Sequence, residues 1–199
     1  MQYDTFMWFP DEDGKLGNAR PVGESSDAWF EPVGAFEIDS FQFKVALSGA
    51  PNVSQEGSAP KRGVKFEQLQ VVKPVELAST LLFRACTERT KIPTAILVSR
   101  LSGGEPLMYL QYVFREVRVD KVSWQQDDEG KRTKETVLLR FSEMALQYIP
   151  QKATGAYGQP KCWTWNAGGN RAPLDAVKTY NYFVRRHETP QSWAKRQGE

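Results

Sequence analysis

The sequence predicts a mainly β domain with one α-helix and one long loop. Three observations carry that reading. Short runs rich in Val, Phe, Tyr, Trp and Thr recur along the 199 residues, separated by Gly, Pro and Asp clusters. Several of these runs alternate apolar and polar residues with the period of a strand. Only one segment carries an apolar stripe with helical period.

The first strand is read at Tyr3–Phe9, followed by a polar, Gly-rich stretch from Asp11 to Pro32 that reads as loop. AFEIDSFQFKVAL then alternates through Phe36, Ile38, Phe41, Phe43 and Val45, with a slip at Asp39–Ser40 that predicts a bulge or a change of face. Ser40, Gln42 and Lys44 fall on the side opposite the aromatics. Residues Ser48–Gly63 hold three Gly, two Pro and no large apolar side chain, and form the long loop. Strand-like VKFEQLQVV follows.

PVELASTLLFRACTE is the helix. Pro74 suits its first turn, Glu76 complements the dipole, and Leu77, Leu81 and Ala85 with Ala78, Leu82 and Cys86 make the apolar stripe. Strands resume in AILVSRL and in LMYLQYVFREVRVDKVSW, which is long enough for two strands meeting at a kink near Glu116. Across the acidic turn QQDDEGKR, KETVLLRFSEMALQYIP is its antiparallel partner, and KCWTWN is a last strand before Gly168–Gly169. The chain divides into a domain over 1–166 and a C-terminal appendage over 167–199 that is expected to lie outside the core.

Composition narrows the function. With 40% apolar and 25% charged residues and a net charge of +2, the chain has no global field to recruit nucleic acid or an anionic membrane. No run is apolar enough to span a bilayer, and MQYDTFMWFPDEDGK lacks the basic start and apolar stretch of a signal peptide. Synthesis in the cytoplasm, with any export independent of a cleaved leader, is expected. Cys86 and Cys162 have no CxxC or Cys/His neighbours and read as buried or half-buried free thiols. His187 is the one histidine and stands in the appendage, where a catalytic group would lack rigid support. Asp127, Asp128 and Glu129 occupy a hairpin tip rather than facing each other across a cleft. Gly103–Gly104 and Gly168–Gly169 lack the Lys-Ser/Thr or helix start of a phosphate cradle. Tyr180, Tyr182, Phe183 and Arg185 carry only a faint pattern for stacking on single strands. Neither a catalytic residue, a metal site nor a cofactor is expected, so function falls on surfaces.

Several stretches, taken in order, resemble the hemolysin-coregulated protein (Hcp) family, the subunit of the type VI secretion inner tube. They are EIDSFQF, the long loop, VKFEQLQVVKP, the helix ending LLFRAC, IPTAILVSRLSGGEPLMYLQYVFREVRVDKVSW and TVLLRFSEMALQYIPQKATG. The closing Tyr148, Pro150, Gln151, Lys152 and Ala153 match the family's Tyr-x-Pro-Gln-Lys-Ala pattern. The resemblance covers about residues 1–166. Where the family often opens the helix with an acidic residue and Ser/Thr-Pro, this chain has Glu76-Leu77-Ala78-Ser79-Thr80, and where a glycine usually follows the helix it has Arg89. The stretch 11–32 and the tail exceed the compact family members.

The resemblance implies two packed sheets forming a β-barrel-like domain with a flanking helix. It implies hexameric rings that stack into a tube, expelled by a contractile sheath with a tip (spike) protein and with effector cargo in the lumen. On that reading Ser48, Gly49, Asn52, Gln55, Glu56, Lys61 and Arg62 belong to a ring-stacking loop, and Ser40, Gln42 and Lys44 face the lumen. The alternative is a β-sandwich module that binds carbohydrate or protein without ring assembly, with Trp29, Trp163, Trp165 and Trp193 as platforms. A third reading makes the tail a device that recruits a partner or caps a ring.

Overall fold

The structure is a computed structural model that describes residues 2–11, 14–48, 63–102, 107–126, 132–151, 157–167, 183–184 and 188–197. Its strands are β1 (Gln2–Trp8), β2 (Phe36–Glu37), β3 (Ser40–Gln42), β4 (Val45–Ser48), β5 (Gly63–Phe66), β6 (Leu69–Pro74), β7 (Lys91–Ser102), β8 (Leu107–Gln125), β9 (Lys134–Arg140), β10 (Glu143–Tyr148) and β11 (Lys161–Asn166). The main helix is α1 (Leu77–Thr87), and α2 (Pro190–Gln197) lies in the tail. All pairing is antiparallel. One nine-stranded sheet runs β2-β1-β7-β8-β9-β6-β3 with β10 and β11 branching from β8, and β4–β5 is a separate two-stranded ribbon.

The ends of that path are tied by the chain itself. β2 pairs with β1 and β3 with β6, and only Ile38 and Asp39 separate them. The Ile38 amide donates to the Thr5 carbonyl at 2.9 Å and the Asp39 amide to the Val72 carbonyl at 2.9 Å. The slip read at Asp39–Ser40 is therefore a change of partner from one end of the sheet to the other. The ladder is not a continuous ring of hydrogen bonds, yet its curvature is barrel-like because one segment holds both margins.

β8 is the spine. Before Glu116 it pairs with β10, and beyond it with β9. Glu116 has φ 57, a left-handed conformation that turns the strand where its partner changes. Lys91 forms an ion pair with its carboxylate. The kink read near Glu116 is this residue.

The central strands are buried on both faces. Met7, Phe9, Ala95, Leu97, Phe114, Val117 and Met144 point into one cluster, which α1 covers with Ala78, Leu82 and Ala85. Their neighbours Phe6, Trp8, Ile96, Val98, Val113 and Ala145 point into a second cluster, covered by Phe30, Val33 and Ala35 and by Phe183 and Val184. Strands buried on both faces read as unbroken apolar runs, which is what TFMWF and AILV are.

Two expectations change here. The stretch 11–32 is irregular, with 3-10 turns at Gly17–Ala19 and Glu31–Val33, but Phe30 stacks on Phe6 with centroids 3.9 Å apart and is fully buried. The tail was expected outside the core, yet Phe183 and Val184 are inside it and α2 lies against Glu31–Val33. Covering an otherwise exposed apolar face accounts for both.

Helix α1 is capped at each end. Glu76 is its N-cap: its carboxylate accepts from the Ala78 amide at 3.1 Å, and the Ser79 hydroxyl accepts from the Glu76 amide at 3.1 Å. Pro74, expected in the first turn, instead ends β6. Leu77 is 54% exposed, so the buried face is Ala78, Ser79, Leu82 and Ala85 rather than the stripe begun at Leu77. The C-terminus is a Schellman turn, with the Thr90 amide bonded to the Ala85 carbonyl and the Arg89 amide to the Cys86 carbonyl. Arg89 adopts φ 55 there. Both thiols are free, Cys86 half-buried and Cys162 exposed on β11, where a buried or half-buried thiol was expected.

Two ionic clusters sit in this frame. Lys73 is fully buried, opposite Glu135 in the β6–β9 ladder. Its ammonium lies 3.0 Å from Glu135 Oε2 and 2.7 Å from Glu76 Oε1, and donates to Ser79 Oγ and the Pro74 carbonyl at 3.1 Å each. Ser79 donates to Glu135 Oε2 at 2.9 Å, and the Trp124 indole N–H to Glu135 Oε1 at 2.8 Å. The Glu24 amide donates to Glu76 Oε2 at 2.9 Å, tying in the N-terminal stretch. On the other face, Arg100 donates to Asp4 at 3.2 Å and Asp27 at 2.5 Å, and its guanidinium covers the Phe6 and Phe30 rings. Burial works to raise the Asp27 carboxyl, but the Arg100 hydrogen bond, the Trp29 and Phe30 amides and the Arg100 charge outweigh it and leave it lowered.

Three outcomes follow. Glu135→Ala, which removes the fully buried partner of Lys73 and the acceptor of Ser79 and Trp124 while leaving Glu76 on the ammonium, lowers stability in urea unfolding by about 3 kcal/mol, whereas Lys73→Met with Glu135→Leu recovers part of that loss. Arg89→Gly raises stability by about 1 kcal/mol, because glycine adopts the left-handed turn without the clash of a Cβ. Asp27 is depressed on folding, so its contribution is complete above the unfolded value near 3.8 and is lost as pH falls through the lower folded value. Urea midpoints of wild type should fall across that acid window, and Asp27→Asn should flatten part of the decline.

Candidate assembly surfaces

The polar side of the strand that joins the margins is built as its alternation requires. Ser40, Gln42 and Lys44 are exposed, while Phe41 and Phe43 turn inward and pack on the main core. Ser40 lies opposite Val72 and Gln42 opposite Gln70. Lys44 is 3.6 Å from Glu67, an exposed pair worth little by itself. These three side chains form one hydrophilic row at the seam of the sheet.

Directly after the row comes the β4–β5 ribbon. Its last rung pairs Ser48 with Gly63, the residues that flank 49–62. Gly49, Asn52, Gln55, Glu56, Lys61 and Arg62 lie outside the described residues, and of Ser48 only the backbone rung is described.

The ribbon carries a feature that alternation alone did not flag. Val45 is 57% and Leu47 84% exposed, opposite Phe66 and Val64. Val45, Val64 and Phe66 line, with Phe43, Met144, Leu146, Trp163 and Trp165, a groove of about 280 Å³ between the ribbon and β10–β11, and Leu47 stands two residues beyond Val45 on the same strand. Trp163, on the outermost strand, is 67% exposed. A contiguous apolar surface on a ribbon and an edge strand marks a contact site. The signal was present as VAL beside SGAP and as WTW, but which side of each strand stays bare depends on what covers it.

The remaining aromatic candidates separate. Trp165 is half-buried against the main core and Trp29 against the second cluster, so neither is an open platform, and the side chain of Trp193 lies outside the described residues. Trp124, 52% exposed, stacks on Phe83 at 5.6 Å beside α1. Tyr3, Tyr109 and Tyr148 meet edge to face across β1, β8 and β10. Burial pushes the Tyr109 phenol above its ordinary value despite a hydrogen bond with Ser99.

A polar recess of about 640 Å³ opens beside Glu116, lined among others by Lys65, Glu67, Gln68, Arg118 and Arg140. Glu67, Glu116 and Asp120 around it are engaged by Lys44, Lys91 and Arg140. Among the described residues no group of three His, Cys, Asp or Glu is arranged to hold a metal, and no helix is long and apolar enough to cross a membrane. His187, Arg185, Arg186 and Asp127–Glu129 lie outside the described residues.

The described residues form a β-rich domain with a capped helix, a projecting two-stranded ribbon and bare apolar edges. Comparison with known proteins gives the class a name. The family described as "Type VI secretion system effector, Hcp" matches residues 7–148. Protein hcp1 of Pseudomonas aeruginosa is 31% identical over 158 residues, which cover 78% of this chain and 94% of that protein. The crystal structure of Hcp1 from Salmonella typhimurium superposes with a TM-score of 0.66 at 28% identity, over 87% of this chain and all of the other. A further solved structure, of a type six secretion system protein, gives a TM-score of 0.73 at 21% identity over 86% of this chain, a likeness of fold. The chain belongs to the Hcp family of type VI secretion proteins.

The bare edge gives a direct expectation. Leu47→Asp and Trp163→Asp, alone or together, leave the thermal midpoint of the isolated subunit nearly unchanged, within about 0.5 kcal/mol each, because neither side chain is in the core.

Proposed function

We propose that this chain is a structural subunit of the type VI secretion inner tube, six copies closing into a ring and rings stacking head to tail. Family membership joined to the apolar groove between the β4–β5 ribbon and β10–β11 carries the reading. A groove lined by exposed Val45 on the ribbon and exposed Trp163 on β11, with Leu47 bare beside it, suits a head-to-tail contact of the kind that closes by rotation. A stable contact of this type buries more than about 1,000 Å² in all, which an apolar centre with a charged rim can supply.

In that assembly the loop carrying Ser48, Gly49, Asn52, Gln55, Glu56, Lys61 and Arg62 reaches the adjacent ring from the β4–β5 ribbon and adds main-chain pairing there. Ser40, Gln42 and Lys44 line the lumen, a hydrophilic wall that holds effector cargo loosely. The subunit works without catalysis or a cofactor. It is made in the cytoplasm and leaves the cell within the tube, driven by a contractile sheath behind a spike-tipped end.

Solution mass and negative-stain images of the purified protein test the ring: a hexameric mass with annular particles is expected, and a strictly monomeric species at high concentration removes the proposal. Deleting 52–59 should spare single rings and abolish tubes. Leu47→Asp with Trp163→Asp should shift the hexamer to monomer while circular dichroism stays unchanged.

A further inference from the structure

Val184 joins the sheet through a side chain rather than through a strand. Gln111, on β8 and 1% exposed, donates from Nε2 to the Val184 carbonyl at 3.0 Å and accepts the Val184 amide on Oε1 at 3.0 Å. Its amide is oriented by a third bond, Nε2 to Gln147 Oε1 at 3.0 Å. A buried glutamine that satisfies the N–H and C=O of one residue reproduces a rung of an antiparallel ladder. Main-chain bonding of this kind, with flanking pockets for side chains, is how extended peptides are captured.

The pockets are present. Phe183 and Val184, 3% and 1% exposed, enter the cluster formed by Phe6, Trp8, Phe30, Ile96, Val98 and Met108. Past them Thr189 caps α2, its hydroxyl accepting from the Ser192 amide at 3.1 Å, and α2 rests on the Glu31–Val33 turn with Pro190 buried. Every wall of this seat comes from residues 2–147, whereas the segment that fills it follows β11, and the family match ends at residue 148.

We propose that the Gln111 seat is a peptide-binding site whose resident ligand is a tail strap held at Phe183–Val184 and at α2. The ligand class is a peptide with a large apolar residue followed by a β-branched one. The backbone is read by Gln111 and the side chains by the second cluster. Deprived of the strap, Gln111 is left buried without partners for Oε1 and one amide hydrogen, beside exposed aromatic walls, so the empty seat favours rebinding. The proposal does not depend on ring assembly.

The test uses the full chain with a specific protease site introduced within 171–178 and cut after folding. The released fragment should co-elute with the body at micromolar concentration. A fluorescent peptide of residues 179–197 should then exchange into the seat, raising its anisotropy saturably. The same peptide with Val184→Asp should bind on the order of tenfold more weakly or worse. Gln111→Ala in the cut chain should weaken exchange similarly, and the peptide variant keeps the question answerable if that body unfolds. A fragment that separates at once with no peptide uptake overturns the proposal, as does a Val184→Asp peptide that binds like wild type or a fragment that never exchanges. Ring formation, scored on the uncut protein, reports on the tube reading alone.

Discussion

The rung between Lys73 and Glu135 constrains the fold more than any other contact. Each occupies the inward register of its strand, so neither charge can reach water. Burying two ions is costly unless geometry and further hydrogen bonds answer every polar atom. That requirement recruits Ser79 and Glu76 from the start of α1, Trp124 from the far end of β8 and the Glu24 amide. The dipole at the helix N-terminus offsets the excess carboxylate. A slip of β9 by one residue along β6 would turn Glu135 to the opposite face and leave Lys73, Ser79 and Trp124 without it. One ion pair thus fixes the register of the sheet margin, the seating of the helix and the path of the N-terminal stretch.

With that margin fixed, the central strands have apolar side chains on both faces, and α1 covers only one of them. The second face is closed by pieces that are irregular or remote in sequence. Arg100, buried among Phe6 and Phe30 and held by Asp4 and Asp27, anchors the first of these. Val184 on Gln111 anchors the second. The groove beside Trp163 has no such cover among the described residues.

Local chemistry made much of this legible. Alternation located nearly every strand, the kink at Glu116 followed from a run too long for one straight strand, and the break at Asp39–Ser40 followed from a lost period. The outward row Ser40, Gln42, Lys44 came from the same period. Family resemblance, not periodicity, supplied the barrel-like closure and the class of machine. What periodicity hid was long-range. Lys73 and Glu135 each stood at an inward position, but their opposition needed the β6–β9 register. TFMWF and AILV declared a second buried face without saying what covers it, so Phe30 and the Phe183–Val184 pair were read as periphery. Arg89 was read as a departure from glycine, and the structure shows the same left-handed turn made by a bulkier residue.

The order of the strands along the chain has a kinetic side. β7, β9 and β10 each pair antiparallel with β8, close to it in sequence, so their contacts close small loops at low entropic cost. The Gln111–Val184 contact spans 73 residues and joins a later-made segment to the middle of the sheet. During synthesis Phe30 can already cover Phe6 and Trp8, but the second face lacks the rest of its cover until Val184 has emerged. In that interval the nascent chain shows apolar surface of the kind that invites aggregation, and the seating of Val184 removes it.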